Sequence, residues 1–226
     1  MKKIKQIVTI FATLALAVTA GLSFAGTKTK AAGSDEFTRT AIEIAADMGY
    51  GWNLGNTMEA TNTWTSNPKV TDFETAWGQP VTTKSMIDGI KKAGFNSIRI
   101  PVSWSNMMSS DGNYTIDASY FKRVDEIISY AFANDMYVII NDHYDGGWWE
   151  HFCGNKRDCM KHYKNMWTQV AGHYKDYSEK LIFESANEEL GDSLKKSLSK
   201  IDVNISDTAL YNLVNEINQT FVDIVR

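Results

Sequence analysis

Leu181–Glu189 reads LIFESANEE, and the fold turns on how this stretch is understood. A mostly apolar run leads into an Asn-Glu pair, as expected of a buried strand that delivers polar side chains into a cleft at its carboxyl end. Three earlier stretches share the design: Tyr50–Asn56 (YGWNLGN), Phe95–Trp104 (FNSIRIPVSW) and Met136–Asp145 (MYVIINDHYD). One Glu after one strand says little, since most are solvated surface groups. Four apolar runs with polar tips form a pattern.

Helical stretches separate these runs. Thr82–Ala93 carries Met86, Ile87, Ile90 and Ala93 on one face and stops at Gly94. Asp117 is placed to cap a helix striped by Phe121, Val124, Ile127, Ile128 and Ala131 and ending at Asn134. A third helix spans Met160–Tyr174. After a connection over Glu189–Ser206, Asp207 is expected to cap a last helix with Leu210, Leu213, Val214, Ile217, Phe221 and Ile224 facing inward. Upstream, Asp35–Met48 reads as a helix capped by Ser34 and packed under the domain. Met58–Val81, with Trp64, Phe73 and Trp77, reads as a long loop, which in a compact domain is usually functional.

Strand and helix thus alternate four times, which calls for a parallel sheet with right-handed crossovers. The strands start near 50, 95, 136 and 181, intervals of 45, 41 and 45 residues. Eight such units plus a leader come to about 390 residues, within the range of a (β/α)8 TIM barrel with insertions. These 226 residues are therefore expected to supply the first four βα units, 33–226 being the N-terminal part of the barrel domain. The last helix reaches Arg226 without a Gly, Asn or Pro stop, as if a barrel were cut in half.

The net charge is −4, and it includes a basic start, Lys2, Lys3 and Lys5, with no acid before residue 25. The remainder is more acidic still, which argues against nucleic acid or an anionic membrane as partner. The apolar run Ile7–Leu22 after these lysines has the form of a secretory signal over 1–25, with Ser23-Phe24-Ala25 as cleavage site or, as late as 32, Lys30-Ala31-Ala32. It is shorter than the roughly 20 residues that span a bilayer, so export to the extracellular space is expected, with no membrane partner after cleavage.

Chemistry concentrates at the strand ends. Arg99 lies between Ile98 and Ile100, where a guanidinium is costly unless paired, so it is either a structural ion-pair partner or an active-site orienter. His143 ends the third strand as a partner for a substrate hydroxyl or a carboxylate. Asn53 and Asn56 stand at the end of the first strand. Glu184, four residues before Glu188 and on the same side of the strand, reads as a deeper hydrogen-bonding group.

As a set, GWNLGNTMEA (Gly51–Ala60), GFNSIRIPVSW (Gly94–Trp104), VIINDHYDGGWW (Val138–Trp149) and LIFESANEE resemble glycoside hydrolase family 5, the former cellulase family A, over about residues 40–226. The resemblance implies a (β/α)8 fold and a retaining endo-β-1,4-glucanase with Glu188 as general acid/base and Asn187 bonding the sugar 2-hydroxyl. Arg99 would orient a carboxylate and His143 touch a sugar hydroxyl. Asn53, Tyr144, Trp148 and Trp149 are further substrate-binding candidates of this sequence. Tyr144 departs from a second His often found there, and Glu189 from a usual Pro.

Retention needs two carboxyl groups about 5–5.5 Å apart. The family's nucleophile is a Glu ending the seventh strand, which is absent here; Asp142, Asp145, Glu150, Glu59 and Glu189 occupy no position of its motif. The whole barrel is therefore expected to cleave β-glucan and the 226 residues alone to be inactive, with pairing to a C-terminal half as an implied partner. A mannanase, a xyloglucanase and a non-catalytic carbohydrate-binding half-barrel are the alternatives.

Trp64, Trp77, Trp104, Trp148 and Trp149 lie mostly in connections after strands, where flat rings can stack on sugars. The Gly146-Gly147-Trp148-Trp149 run is the leading platform, while Trp167 is helical and core. Cys153 and Cys159 fit a local disulfide, two free thiols or, with His151 and His162, a zinc spacing. No phosphate-cradling loop or nucleophile elbow is found; no cofactor and no metal is expected.

Overall fold

The computed structural model describes residues 39–188 and 205–226. Four parallel strands lie in chain order: β1 (Gly51–Asn53), β2 (Ser97–Ile100), β3 (Tyr137–Asn141) and β4 (Leu181–Glu184). The helices are α1 (Ala41–Met48), α2 (Val70–Glu74), α3 (Lys84–Lys92), α4 (Ala118–Phe132), α5 (Lys156–Tyr174) and α6 (Asp207–Val225).

Alternation along the strands sends successive side chains to opposite faces. Ile98, Ile100, Val138 and Ile140 take one face and are fully buried, in one cluster with Ile87 of α3, Val124, Ile127 and Ile128 of α4, Met166 and Trp167 of α5 and Ile217 of α6. Each such side chain contributes about 1.5–3 kcal/mol by leaving water. The opposite face carries Asn53, Arg99, Ile139 and Glu184, all exposed or half-buried. The strand β3 is covered by helices on one face.

Local signals explain the helix ends. The Thr83 hydroxyl caps α3 by accepting from the Met86 amide, and Gly94 follows with φ +100°. Asp117 caps α4 as expected, accepting from the Ser119 amide at 2.7 Å. Three expectations are corrected. The helix α1 starts after Thr40, whose hydroxyl and the Glu43 carboxylate form a capping box, and none of its residues is buried: Ile42 is 82% exposed. The cap of α6 is Ser206, accepting from the Ala209 amide, and Asp207 sits in the first turn, where its charge favours the helix N-terminus. The 58–81 loop contains α2, whose Phe73 is core. The 1–25 leader, Ser34 and Glu189 lie outside the described residues.

Candidate active site

Lateral register sets Asn53 beside Arg99 and Asn141 beside Glu184, on the face away from the helices. Arg99 is the hub. Its Nε and Nη2 donate to the two Glu184 oxygens at 2.7 and 2.5 Å, its Nη1 to Asn53 at 3.0 Å, and its Nη2 also to Asn187 at 3.0 Å. A planar fork meets a carboxylate in this two-bonded way, which a Lys cannot copy. Burial by itself would raise the Glu184 carboxyl, but the bonds and charge of Arg99 outweigh it and hold the group below its ordinary range. Those same bonds raise Arg99 and keep it charged.

The strand β4 ends at Glu184, and the chain then turns. The Asn187 amide donates to the Asp142 carbonyl at 2.9 Å, so the segment after β4 follows the end of β3 and delivers Asn187 to Arg99. Glu188 is exposed and close enough to act electrostatically on both Arg99 and His143. His143 is half-buried; burial first, and Arg99 second, lower its pKa against the pull of Glu184 and Glu188 and so favour the neutral ring. Its amide donates to the Val102 carbonyl at 3.0 Å, and the Ser103 hydroxyl sits between the carbonyls of Glu59 (2.8 Å) and His143 (2.9 Å). The loops after β1, β2 and β3 are thereby tied together.

The structure brings Arg99, Asn53, Asn187, Glu188 and His143 together, and it places the aromatic candidates differently. Trp149 is 1% exposed, donates to Asp142 at 2.8 Å and packs edge-on against Tyr163. It is a core residue rather than a sugar platform. Trp104 is fully buried as well, donating to the Asn141 carbonyl at 2.9 Å. Trp148 is half-buried, bonded to Asp145 at 2.6 Å and stacked with Trp149 and His162 at centroid distances of 4.6 and 4.2 Å. Tyr144 is exposed, with its hydroxyl against Gly147. Gly146 and Gly147 adopt φ of +72° and +79°, a region open to glycine, and this bends the loop so that both indoles turn inward. Trp64 and Trp77 are exposed and Trp167 is core.

The other acids are engaged. Glu59 accepts from the Asn56 and Thr57 amides, and burial raises its pKa against those bonds. Asp145 accepts from the Ser105 amide and hydroxyl at 2.6 and 2.7 Å. Glu150 is exposed. Cys153 and Cys159 are free thiols, so the local disulfide is not formed. Among the described residues no group of three or more His, Cys, Asp or Glu is arranged to hold a metal.

Sequence reasoning passed over Asn141, fully buried, whose side chain lies between the Val102 amide, Glu184 and His143. The available signal was a polar residue closing the β-branched run VIIN two places before His143.

Parallel βα units with a polar cluster gathered at the strands' carboxyl ends define part of a (β/α)8 barrel, the end at which such barrels carry their sites. The model of the cellulase family, glycosyl hydrolase family 5, matches residues 58–226, and the chain belongs to that family. It is 41% identical over 219 residues to endoglucanase A of Paenibacillus barcinonensis, covering 94% of this chain and 51% of that protein. It is 34% identical over 188 residues to a xyloglucan-specific endo-beta-1,4-glucanase of Bacteroides ovatus, covering 83% of this chain and 36% of the relative. Among solved structures, a GH5-4 broad specificity endoglucanase from Ruminococcus champanellensis with bound cellotriose superposes with a TM-score of 0.72 at 37% identity, over 85% of this chain and 55% of that one. The chain thus spans between about a third and just over half of the length of these proteins.

Proposed function

We propose that this chain supplies the N-terminal half of a secreted, retaining endo-β-1,4-glucanase that cleaves internal bonds of cellulose-type polysaccharide. In this reading Glu188 is the general acid/base, protonating the bridging oxygen and then activating water. Asn187, fixed by Arg99 and the Asp142 carbonyl, meets the sugar 2-hydroxyl, and His143 another hydroxyl. The observation that carries it is the Arg99 hub, which gathers side chains from β1, β2 and the segment after β4 beside Glu188. The relatives, endoglucanases from several bacteria, and the cellotriose bound by the Ruminococcus champanellensis enzyme support the substrate class.

Double displacement needs a second carboxylate about 5–5.5 Å from the acid. Glu59 and Asp145 are held by amide and hydroxyl donors, so neither serves as a free nucleophile. The attacking carboxylate then comes from the C-terminal half of the barrel, which also supplies the low-polarity wall that an exposed Glu188 lacks here. Xyloglucan is the second reading, favoured by the Bacteroides ovatus relative; the same acid/base would serve both backbones. Export rests on the Lys2–Leu22 pattern.

The test is reducing-sugar release from carboxymethylcellulose and xyloglucan by a whole-barrel protein containing this chain. Glu188→Gln should lower the rate by about 100-fold or more, as loss of general acid/base catalysis does. Unchanged turnover would remove Glu188 from the chemistry. The 226 residues alone should release no more sugar than their own Glu188→Gln variant.

A further inference from the structure

Asn141 sits where three unlike groups meet. It is fully buried at the end of β3. Its Oδ1 accepts from the Val102 amide at 3.3 Å. A backbone N–H can only donate, so this contact fixes which end of the Asn141 amide is oxygen. The nitrogen end therefore faces the other way, where Nδ2 lies 3.2 Å from Glu184 Oε1 and 3.4 Å from His143 Nδ1. Arg99, doubly bonded to Glu184, keeps that carboxylate ionised and hence acceptor-only. The two Nδ2 hydrogens have one direction each: Glu184 and the imidazole.

We propose that Asn141 is the positioning residue that sets the tautomer of His143: its amide donates to Nδ1, so the single ring proton sits on Nε2. The backbone of the loop after β2 thereby decides the hydrogen-bonding role of a side chain just beyond β3, through one buried amide. As an Nε2–H donor, His143 binds the oxygen lone pair of a sugar hydroxyl or a carboxylate and does not accept a hydroxyl proton. This rests on the functional reading above only for the identity of that acceptor. The tautomer follows from the protein's own contacts. The charged groups acting on His143 are Arg99, Glu184 and Glu188, and burial with Arg99 favours the neutral ring in which a tautomer is defined.

The test is nitrogen-15 NMR on the 226-residue protein with labelled histidine, the His143 signals being assigned by their loss in His143→Gln. At pH 7.5 the wild-type ring should show Nε2 protonated and Nδ1 unprotonated. In Asn141→Asp the side chain still accepts from the Val102 amide but has no proton for Nδ1, so the major form should switch to Nδ1–H. A wild-type ring protonated on Nδ1 would overturn the proposal, even if the variant fails to fold. So would a folded Asn141→Asp protein whose ring stays protonated on Nε2. Failure of a whole-barrel protein containing this chain to bind cellotriose, while the Nε2–H tautomer is found, would count against the functional reading alone.

Discussion

Arg99 donates hydrogen bonds to Glu184, Asn53 and Asn187, residues of β4, β1 and the segment after β4. Arg99→Lys keeps the charge and loses the fork. With Arg99 and Glu184 side chains 23% and 33% exposed, water screens part of the loss, and about 1–2 kcal/mol of stability should go, read as a lower urea midpoint. An unchanged midpoint would show that Lys satisfies Glu184 equally well. His162 poses a second test. Its ring is stacked between Tyr114 and Trp148 at 4.4 and 4.2 Å, and burial pushes its pKa down to about 4. Between pH 6.5 and about 4 the unfolded chain takes up this proton first, so stability falls with pH through that window, by roughly 3 kcal/mol. Asp145, raised by burial and linked to His162 through Ser105, works in the opposite sense, its contribution growing as pH falls. His162→Phe removes the histidine part alone, so the stability should fall less steeply as pH drops across this window; an unaltered slope would reject the assignment.

Among the elements, the connection from β1 to α3 is held by a single charged clamp. Glu74 of α2 is fully buried, and its carboxylate accepts from the Thr82 amide at 2.7 Å and from Arg123 of α4 at 2.9 and 2.8 Å. Arg123 also donates to the Thr82 carbonyl at 2.7 Å. Arg123→Met leaves a buried carboxylate without its cation, a loss of about 3–5 kcal/mol, which calorimetry would read as a lower Tm. The helices α3, α4 and α6 were legible because their apolar stripes are local features of the chain, although the cap of α6 is Ser206 and not the expected Asp207. The clamp was not, since nothing near Glu74 in sequence announces a partner 49 residues away.

At the scale of the molecule, β1 and β4 each have a neighbour on one side only within the described sheet. Edges with unpaired amides and carbonyls invite pairing with other chains. The purified 226-residue chain should therefore self-associate as its concentration rises, measured by analytical ultracentrifugation, whereas a whole-barrel protein should remain at one mass. A monomeric short chain at high concentration would mean that its edges are otherwise protected.

Strand–helix alternation near 40–45 residues, helix stripes and the Asn-Glu pair ending an apolar run were all determined by the sequence itself, because each depends on neighbours within a few residues. The roles of the aromatics were decided only by the tertiary structure. Trp104 and Trp149 are in the core and Trp64 is in water, though all three are flat rings in connecting segments. The same holds for the pairing of Arg99 with Glu184, 85 residues apart, and for the place of Asn141 between Val102, Glu184 and His143. Burial and hydrogen-bond partnership are set by what distant elements bring against a side chain, and periodicity along the chain carries no record of that.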